Sequence, residues 1–117
     1  MNEEKRIQSA DAVCGVLDSM PVYKIYLSLK AQISENAGLK AEIDEFKRLN
    51  SRLQMDKVNG REVSFDDERH AANVYWQIML NETAREYLKA ERELAQFLHG
   101  VFSDVRERAQ LTVDFLV

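Results

Sequence analysis

The last third of this chain has the pattern of one long amphipathic helix. From Asn81 to Phe115, apolar residues recur in neighbouring rows at seven-residue spacing. The rows contain Leu88, Ala95, Phe102 and Ala109; Ala84, Leu98 and Val105; and Tyr87, Leu94 and Val101. At 1.5 Å per residue such a helix is roughly 50 Å long, whereas a compact globule of this length is about 35 Å across. The stripe therefore predicts that another protein chain covers part of it, and a second copy of this chain is the simplest candidate.

One acidic residue, Glu91, interrupts the second of these rows. A carboxylate buried in an apolar stripe needs a hydrogen-bonding or ionic partner. Tyr23, Tyr26 or an arginine across a subunit interface would supply one and would specify pairing. The alternative is that Glu91 lies at the edge of the stripe and is exposed to solvent. The sequence leaves both interpretations open.

The composition favours a single helical domain. The chain has 117 residues with four glycines and one proline, the two residue types that most oppose helices. Acidic residues outnumber basic ones, 20 to 16, so the molecule as a whole lacks the basic footprint of a nucleic-acid-binding protein. We predict one all-α domain over residues 1–117.

Spacing and cap signals divide the first part of the chain into helices. Apolar residues between Ile7 and Leu17 recur at spacings of three and four, which predicts a first helix over Glu3–Asp18 with Cys14 on its inward stripe. The segment Ser19-Met20-Pro21 supplies a cap and a proline that is tolerated only in a first turn. A second helix is therefore expected to begin there.

A third helix is expected after the break at Asn36 and Gly38. Its apolar stripe contains Leu39, Ile43, Phe46, Leu49 and Leu53. Leu39, Phe46 and Leu53 lie one heptad apart, which makes them candidates for a helix-pairing interface.

Turn and cap residues also bound the last two helices. The Asn59-Gly60 pair predicts that the chain reverses after the third helix. Ser64, followed three residues later by an aspartate, indicates a capped fourth helix from Phe65 to about Leu80. Asn81 and Thr83 both suit the cap of the last helix, so a tight turn and a kinked continuation are both open. The result is an elongated helical bundle.

Cysteine usage and the N-terminus indicate a compartment. Cys14 is the only cysteine, which excludes an intramolecular disulfide and fits a reducing cytosol. The segment Met1–Ser9 is polar and of mixed charge, and no stretch approaches the roughly 20 apolar residues that span a bilayer. We expect a cytoplasmic protein that does not enter a membrane.

Catalytic and cofactor motifs are absent from the sequence. Its glycines are too far apart for a phosphate-binding loop, and its two histidines are too far apart for a zinc helix. Asp67 and His70 do share one helix face, a ligand spacing seen in di-metal bundles, and Glu91 is an acid on an apolar stripe. A metal-binding sensor or enzyme using Asp67, His70 and Glu91 is therefore one alternative function. The main expectation is a protein with no enzymatic activity and no cofactor.

The third helix is the most basic region and raises a second alternative, direct RNA binding. Its basic residues, with those that follow it, are Lys40, Lys47, Arg48, Arg52, Lys57 and Arg61. Four acids are interleaved with them, and no exposed aromatic row for base stacking is evident. This mixture is more typical of a salt-bridged solvent face, so direct nucleic-acid binding is not expected.

Several short motifs occur in an order that resembles the YlbF/YmcA family of small bacterial helical proteins, and its YheA-like branch most closely. The matching residues are Leu17, Ser19, Tyr23, Asn36, the Asp44-Glu45-Phe46 block, Gly60 before a capped helix, Ala90-Glu91 and Leu94. The similarity runs from about Ala10 to Val105.

The resemblance implies an all-helical fold in which two subunits intertwine, and a regulatory role. Some relatives are regulators of competence, biofilm formation and sporulation that act as adaptors of ribonuclease Y in messenger RNA processing. Those relatives carry C-terminal cysteines linked to iron-sulfur clusters. This chain has only Cys14, so no cluster is expected here.

Together these observations predict a homodimer, or a higher homo-oligomer, that binds a protein partner, with RNA-processing machinery as one candidate. The predicted interface residues are Leu39, Phe46, Leu53, Leu88, Glu91, Leu94, Leu98, Phe102 and Val105.

Overall fold

A computed structural model describes residues 2–110 and contains five α-helices. They are α1 (Glu3–Asp18), α2 (Pro21–Ser34), α3 (Ala37–Val58), α4 (Phe65–Met79) and α5 (Glu82–Arg108). The described part of the chain contains no strand. The prediction of an all-α helical bundle is confirmed.

Side-chain caps fix the starts of three helices. Asn36 accepts a hydrogen bond from the Leu39 amide at 3.1 Å, and Ser64 accepts one from the Asp67 amide at 3.1 Å. Asn81 accepts one from the Ala84 amide at 3.0 Å. Each cap satisfies an amide that has no partner within its helix. Asn81 is therefore the cap of α5, and the chain makes a tight turn between α4 and α5.

The last helix is shorter than the sequence pattern indicates. α5 ends at Arg108 after 27 residues, roughly 40 Å, and not at Phe115. Gln110 has a φ of 57°, in the left-handed region that ends helices. The apolar repeat continues past this point, but periodicity alone does not hold a helix together. The last part of the predicted helix, residues 111–117, lies outside the described residues.

The described residues divide into two units, unit 1 (residues 2–28 and 88–110) and unit 2 (residues 29–87). In unit 2, α3 packs against α4. The core of this packing contains Leu49, Leu53 and Ala71, with Val63 and Val74 against it. Ile78, also in α4, is completely buried.

In unit 1, α1 has no buried residue. Ile7 and Val16 are 52% and 50% exposed. The prediction that Cys14 lies in the core is wrong, because its side chain is exposed. The period of the apolar residues identified a face of α1, and within the described residues Leu17 on that face is partly buried while Ile7 and Val16 are exposed.

Candidate interaction surfaces

Unit 1 contains an open apolar groove with a volume of about 260 Å³. It is lined by Leu17, Tyr23, Tyr26, Glu91, Leu94, Ala95 and Leu98. The tyrosine rings stack, with centroids 6.3 Å apart and an interplanar angle of 17°. We call this feature the tyrosine groove.

Helical spacing explains why these side chains meet. Tyr23 and Tyr26 are three residues apart on α2, which begins at Pro21. Glu91 and Leu98 are seven residues apart on α5, with two further lining residues between them. Spacings of three, four and seven place side chains on one face of a helix. The tyrosine groove is therefore the point where the inward face of α2 and the apolar stripe of α5 are brought together within unit 1.

The charge that interrupts the stripe, Glu91, lies in this groove and is partly buried. Tyr23 and Tyr26 were predicted from the sequence as candidate partners of Glu91, and both line the same groove. Tyr26 and Glu91 each have an interaction partner in the structure. A carboxylate beside two tyrosine rings gives the otherwise apolar groove one anionic edge.

Beyond the groove, the stripe of α5 is open to solvent. Phe102 is 57% exposed and Val105 is 56% exposed. The predicted interface residues Leu88 and Leu94 are buried, and Leu98 is partly buried. Large apolar groups that remain in water are candidates for an interface. The C-terminal half of α5 carries the uncovered part of the predicted seam.

The predicted interface residues of α3 are covered within the chain. Leu39 and Leu53 are buried. Phe46 is partly buried and packs against Tyr75 with ring centroids 5.4 Å apart. The burial of these three residues does not require a second subunit. Their place in an interface stays a prediction.

A second apolar surface, not predicted from the sequence, lies on α4, and the end of α3 also carries exposed apolar side chains. Phe65, Trp76 and Leu80 are 74%, 66% and 85% exposed. Met55 and Val58 near the end of α3 are also exposed. Phe65 and Trp76 are 11 residues apart and Leu80 follows four later, which places them on one side of a helix. That spacing was available in the sequence, but the stronger stripe on the opposite side of α4 obscured it. We call Phe65, Trp76 and Leu80 the outer row of α4.

Ion pairs between α3 and α4 involve the residues proposed as metal ligands. His70 Nε2 lies 3.7 Å from Glu45 Oε1, and Asp67 Oδ2 lies 4.0 Å from an Arg52 nitrogen. Glu91 belongs to the other unit. No group of three or more His, Cys, Asp or Glu side chains within residues 2–110 is placed to hold a metal ion. Asp67, His70 and Glu91 are therefore not brought together as a site.

The basic residues of α3 also have acidic or aromatic neighbours. Lys40 Nζ lies 2.6 Å from Asp44 Oδ2. Lys47 Nζ donates to the Tyr87 hydroxyl at 3.2 Å and lies 5.0 Å from the centre of its ring. Lys57 and Arg61 pair at 3.4 Å with Glu68 and Asp56. Cations engaged in this way do not form a continuous track for phosphates.

Each described helix is too short or too polar to cross a membrane.

The sequence matches known proteins over most of its length. Residues 7–108 match the family model described as control of competence regulator ComK, YlbF/YmcA. A UPF0342 protein of Caldicellulosiruptor saccharolyticus is 28% identical over 89 residues, which cover 76% of this chain and 74% of the relative. A UPF0342 protein of Caldicellulosiruptor bescii is 32% identical over 79 residues, covering 68% and 66%. No solved structure matches the chain significantly.

Proposed function

Because this chain belongs to the YlbF/YmcA family of competence-control regulators, we propose that it is a cytoplasmic, non-enzymatic adaptor that acts through helical protein–protein interfaces. The family description names a regulator and not an enzyme. The observation that carries the proposal is the exposure of large apolar side chains in both units, such as Phe102 on α5 and Trp76 on α4. Apolar surface of this kind is typical of protein interaction sites.

The first surface, on α5 and α1, serves self-association. Phe102 and Val105 extend the stripe of α5 into solvent, and α1 of the same unit buries none of its residues. Packing these faces against a second copy would remove their apolar area from water, at roughly 25 cal/mol per Å². We propose a homodimer as the functional form.

The second surface, the outer row of α4, receives a protein partner. Tryptophan is enriched among residues that dominate binding energy, and Trp76 is 66% exposed. The resemblance to ribonuclease Y adaptors makes the messenger RNA processing machinery the candidate partner. The row also contains Phe65 and Leu80, which would flank the tryptophan in a groove of the partner.

The proposal is tested by measuring binding of the purified protein to purified ribonuclease Y from the same cell. We expect saturable binding, and a loss of at least about tenfold in affinity for Trp76→Ala, because truncating a central aromatic anchor costs about 2 kcal/mol or more. Gln77→Ala is the matched control, since Gln77 is exposed on the same helix and lies about 100° around it from Trp76.

Three results would contradict parts of the proposal. Absence of binding by the wild-type protein would reject ribonuclease Y as the partner. Equal affinities for Trp76→Ala and Gln77→Ala would reject the outer row of α4 as the binding surface. Light scattering that finds a folded monomer at micromolar concentration would remove the homodimer.

A further inference from the structure

We propose that the tyrosine groove is a reciprocal socket in which Phe102 of a second copy of the chain inserts, while Phe102 of the first copy enters the groove of the second. This inference rests on the proposed self-association and goes beyond it by naming the side chain, the cavity and the symmetry. It gives a role to two features of unit 1 that the fold of a single chain leaves unused. These are an open groove of about 260 Å³ and an aromatic side chain that is 57% exposed.

Phe102 and the α5 residues of the tyrosine groove lie on the same face of α5. Phe102 follows Leu98 by four residues and Ala95 by seven. At 100° per residue, these three side chains and Glu91 fall within an arc of roughly 60°. Phe102 does not line the groove of its own chain. It lies one turn beyond the end of the groove and remains in water.

A two-fold axis can bring Phe102 of each copy into the tyrosine groove of the other. The axis is perpendicular to α5 and crosses its apolar stripe midway between Ala95 and Phe102. The α5 helices of the two copies then run antiparallel. Each Phe102 then lies level with Ala95 of the other copy. Because the operation is its own inverse, both insertions form together, as in any isologous interface. The interface closes at two subunits and leaves no free socket.

The shapes of the side chains suit this arrangement. Ala95 is the smallest residue of the groove wall, and the larger Leu94 and Leu98 belong to the same wall. A small residue beside larger ones leaves a depression that a side chain of a paired helix fills. An aromatic side chain buries about 150–250 Å² and packs favourably on other rings, here those of Tyr23 and Tyr26.

Charge complementarity supports the same register. Arg106 lies four residues after Phe102, and Glu91 lies four residues before Ala95. The axis that brings Phe102 level with Ala95 therefore brings Arg106 level with the partner subunit's Glu91. The anionic edge of the groove then faces a cation that is partly buried in the last turn of α5. Opposite charges at matching levels favour this pairing over shifted registers.

The test is a disulfide cross-link between two different variants. Cys14 is first replaced by serine, because it is the only cysteine of the chain. Ala95→Cys and Phe102→Cys are then made in separate chains, purified, mixed and oxidised. In a mixed dimer, Phe102 of the Ala95→Cys chain still enters the groove of the Phe102→Cys chain. At the other groove the two introduced thiols face each other. In either variant alone, the like thiols are offset by seven residues, roughly 10 Å, beyond the Cα separation of about 7 Å that a disulfide allows.

We expect the cross-linked dimer on a non-reducing gel from the mixture and not from either variant alone. A wild-type protein that is monomeric by light scattering would remove the proposed self-association itself. A wild-type dimer whose mixture forms no more cross-link than the separate variants would overturn the insertion and leave self-association standing. Occupation of the groove by another protein or a small ligand would give this second result.

A second measurement does not depend on cysteine chemistry. Phe102→Ala should raise the dimer dissociation constant by at least about tenfold, because each dimer loses two buried aromatic anchors. Gln96→Ala truncates an exposed side chain of the same helix that does not line the groove, and it should leave the constant unchanged. Equal dissociation constants for the two variants would overturn the socket.

Discussion

Gly60, which follows the C-cap of α3, has a backbone φ of +73°. A Cβ at this position meets no other atom within 4 Å, so alanine has room there. The cost of alanine is conformational, since a left-handed backbone disfavours a residue with a Cβ by about 1–2 kcal/mol. We expect Gly60→Ala to lower the free energy of unfolding by about 1 kcal/mol in urea denaturation at fixed protein concentration.

Gly15 provides the matched control for that prediction. It lies inside α1, and a Cβ there also meets nothing within 4 Å. Because its φ is not positive, the same substitution should stabilise the protein by about 0.5–1 kcal/mol, the difference between glycine and alanine in a helix. A change of the same sign at both positions would show that backbone conformation does not explain the effect at Gly60.

At Ser64 the cap signal in the sequence and the hydrogen bond in the structure agree. The Ser64 side chain accepts a hydrogen bond from the Asp67 amide at 3.1 Å at the start of α4. Ser64→Ala should therefore destabilise the protein by about 1 kcal/mol. Ser51→Ala, at an exposed position inside α3, should be neutral or slightly stabilising, because alanine is the better helix former. If denaturation midpoints shift equally in both variants, the cap is not the cause.

At the scale of elements, helix starts were predictable because caps act over three residues. The first helix has the predicted bounds, Glu3–Asp18, and Ser64 caps the fourth helix as expected. The start of α5 was ambiguous between Asn81 and Thr83, because both residues have a suitable oxygen. The bond from the Ala84 amide to Asn81 resolves it.

The end of α5 was not predictable in the same way. No glycine or proline marks a stop after Arg108, and apolar residues continue at helical spacing. The structure nevertheless ends the helix there and places Gln110 at a φ of 57°. A helix end without a local stop signal depends on what packs against its last turns, which periodicity does not report.

Unit 2 combines buried apolar side chains with exposed ion pairs between α3 and α4, and these should contribute unequally to stability. Ile78 is completely buried, so Ile78→Ala should lower the free energy of unfolding by about 2–5 kcal/mol. Glu68 lies 3.4 Å from Lys57, but both side chains are about half exposed. Glu68→Gln should therefore cost less than about 1 kcal/mol.

The two variants also differ in their response to salt. The stability difference between wild type and Glu68→Gln should shrink as ionic strength rises, because exposed charges are screened. The difference for Ile78→Ala should persist. A loss of more than about 2 kcal/mol for Glu68→Gln would show that this exposed ion pair contributes as much to stability as a buried apolar side chain.

For the whole molecule, the sequence identified apolar faces but not what covers them. Cys14 and Phe102 have the same kind of apolar spacing as Leu53, yet Leu53 is buried in unit 2 while the other two are exposed. The difference arises from which elements pack together, a property of tertiary structure. The sequence suggested Tyr23 or Tyr26 as a partner of Glu91, and both tyrosines line one groove with it. The groove itself was not predicted, because its walls depend on which helices pack together. Glu91 could be singled out only because it broke a periodic row.

The proposed dimer register makes a charge-reversal prediction for the complete assembly. Glu91→Arg places two cations level with each other across the interface, and Arg106→Glu places two anions there. Each single variant should therefore raise the dimer dissociation constant by at least about tenfold, which corresponds to about 1.4 kcal/mol. The double variant restores opposite charges and should recover much of the affinity. Recovery will be incomplete, because Glu91 also has a partner in its own chain.

Controls for charge reversal are available on the same helix. Glu93→Arg and Arg108→Glu change the net charge by the same amounts at exposed positions outside the groove wall. Analytical ultracentrifugation at two salt concentrations should show little effect of either control. Because residues in contact couple while distant, independent sites are additive, the decisive quantity is the interaction free energy of the double-mutant cycle for Glu91 and Arg106. A value near zero, with both single variants dimerising as well as the controls, would place Arg106 away from the partner subunit's Glu91 and exclude the antiparallel register that seats Phe102 in the tyrosine groove.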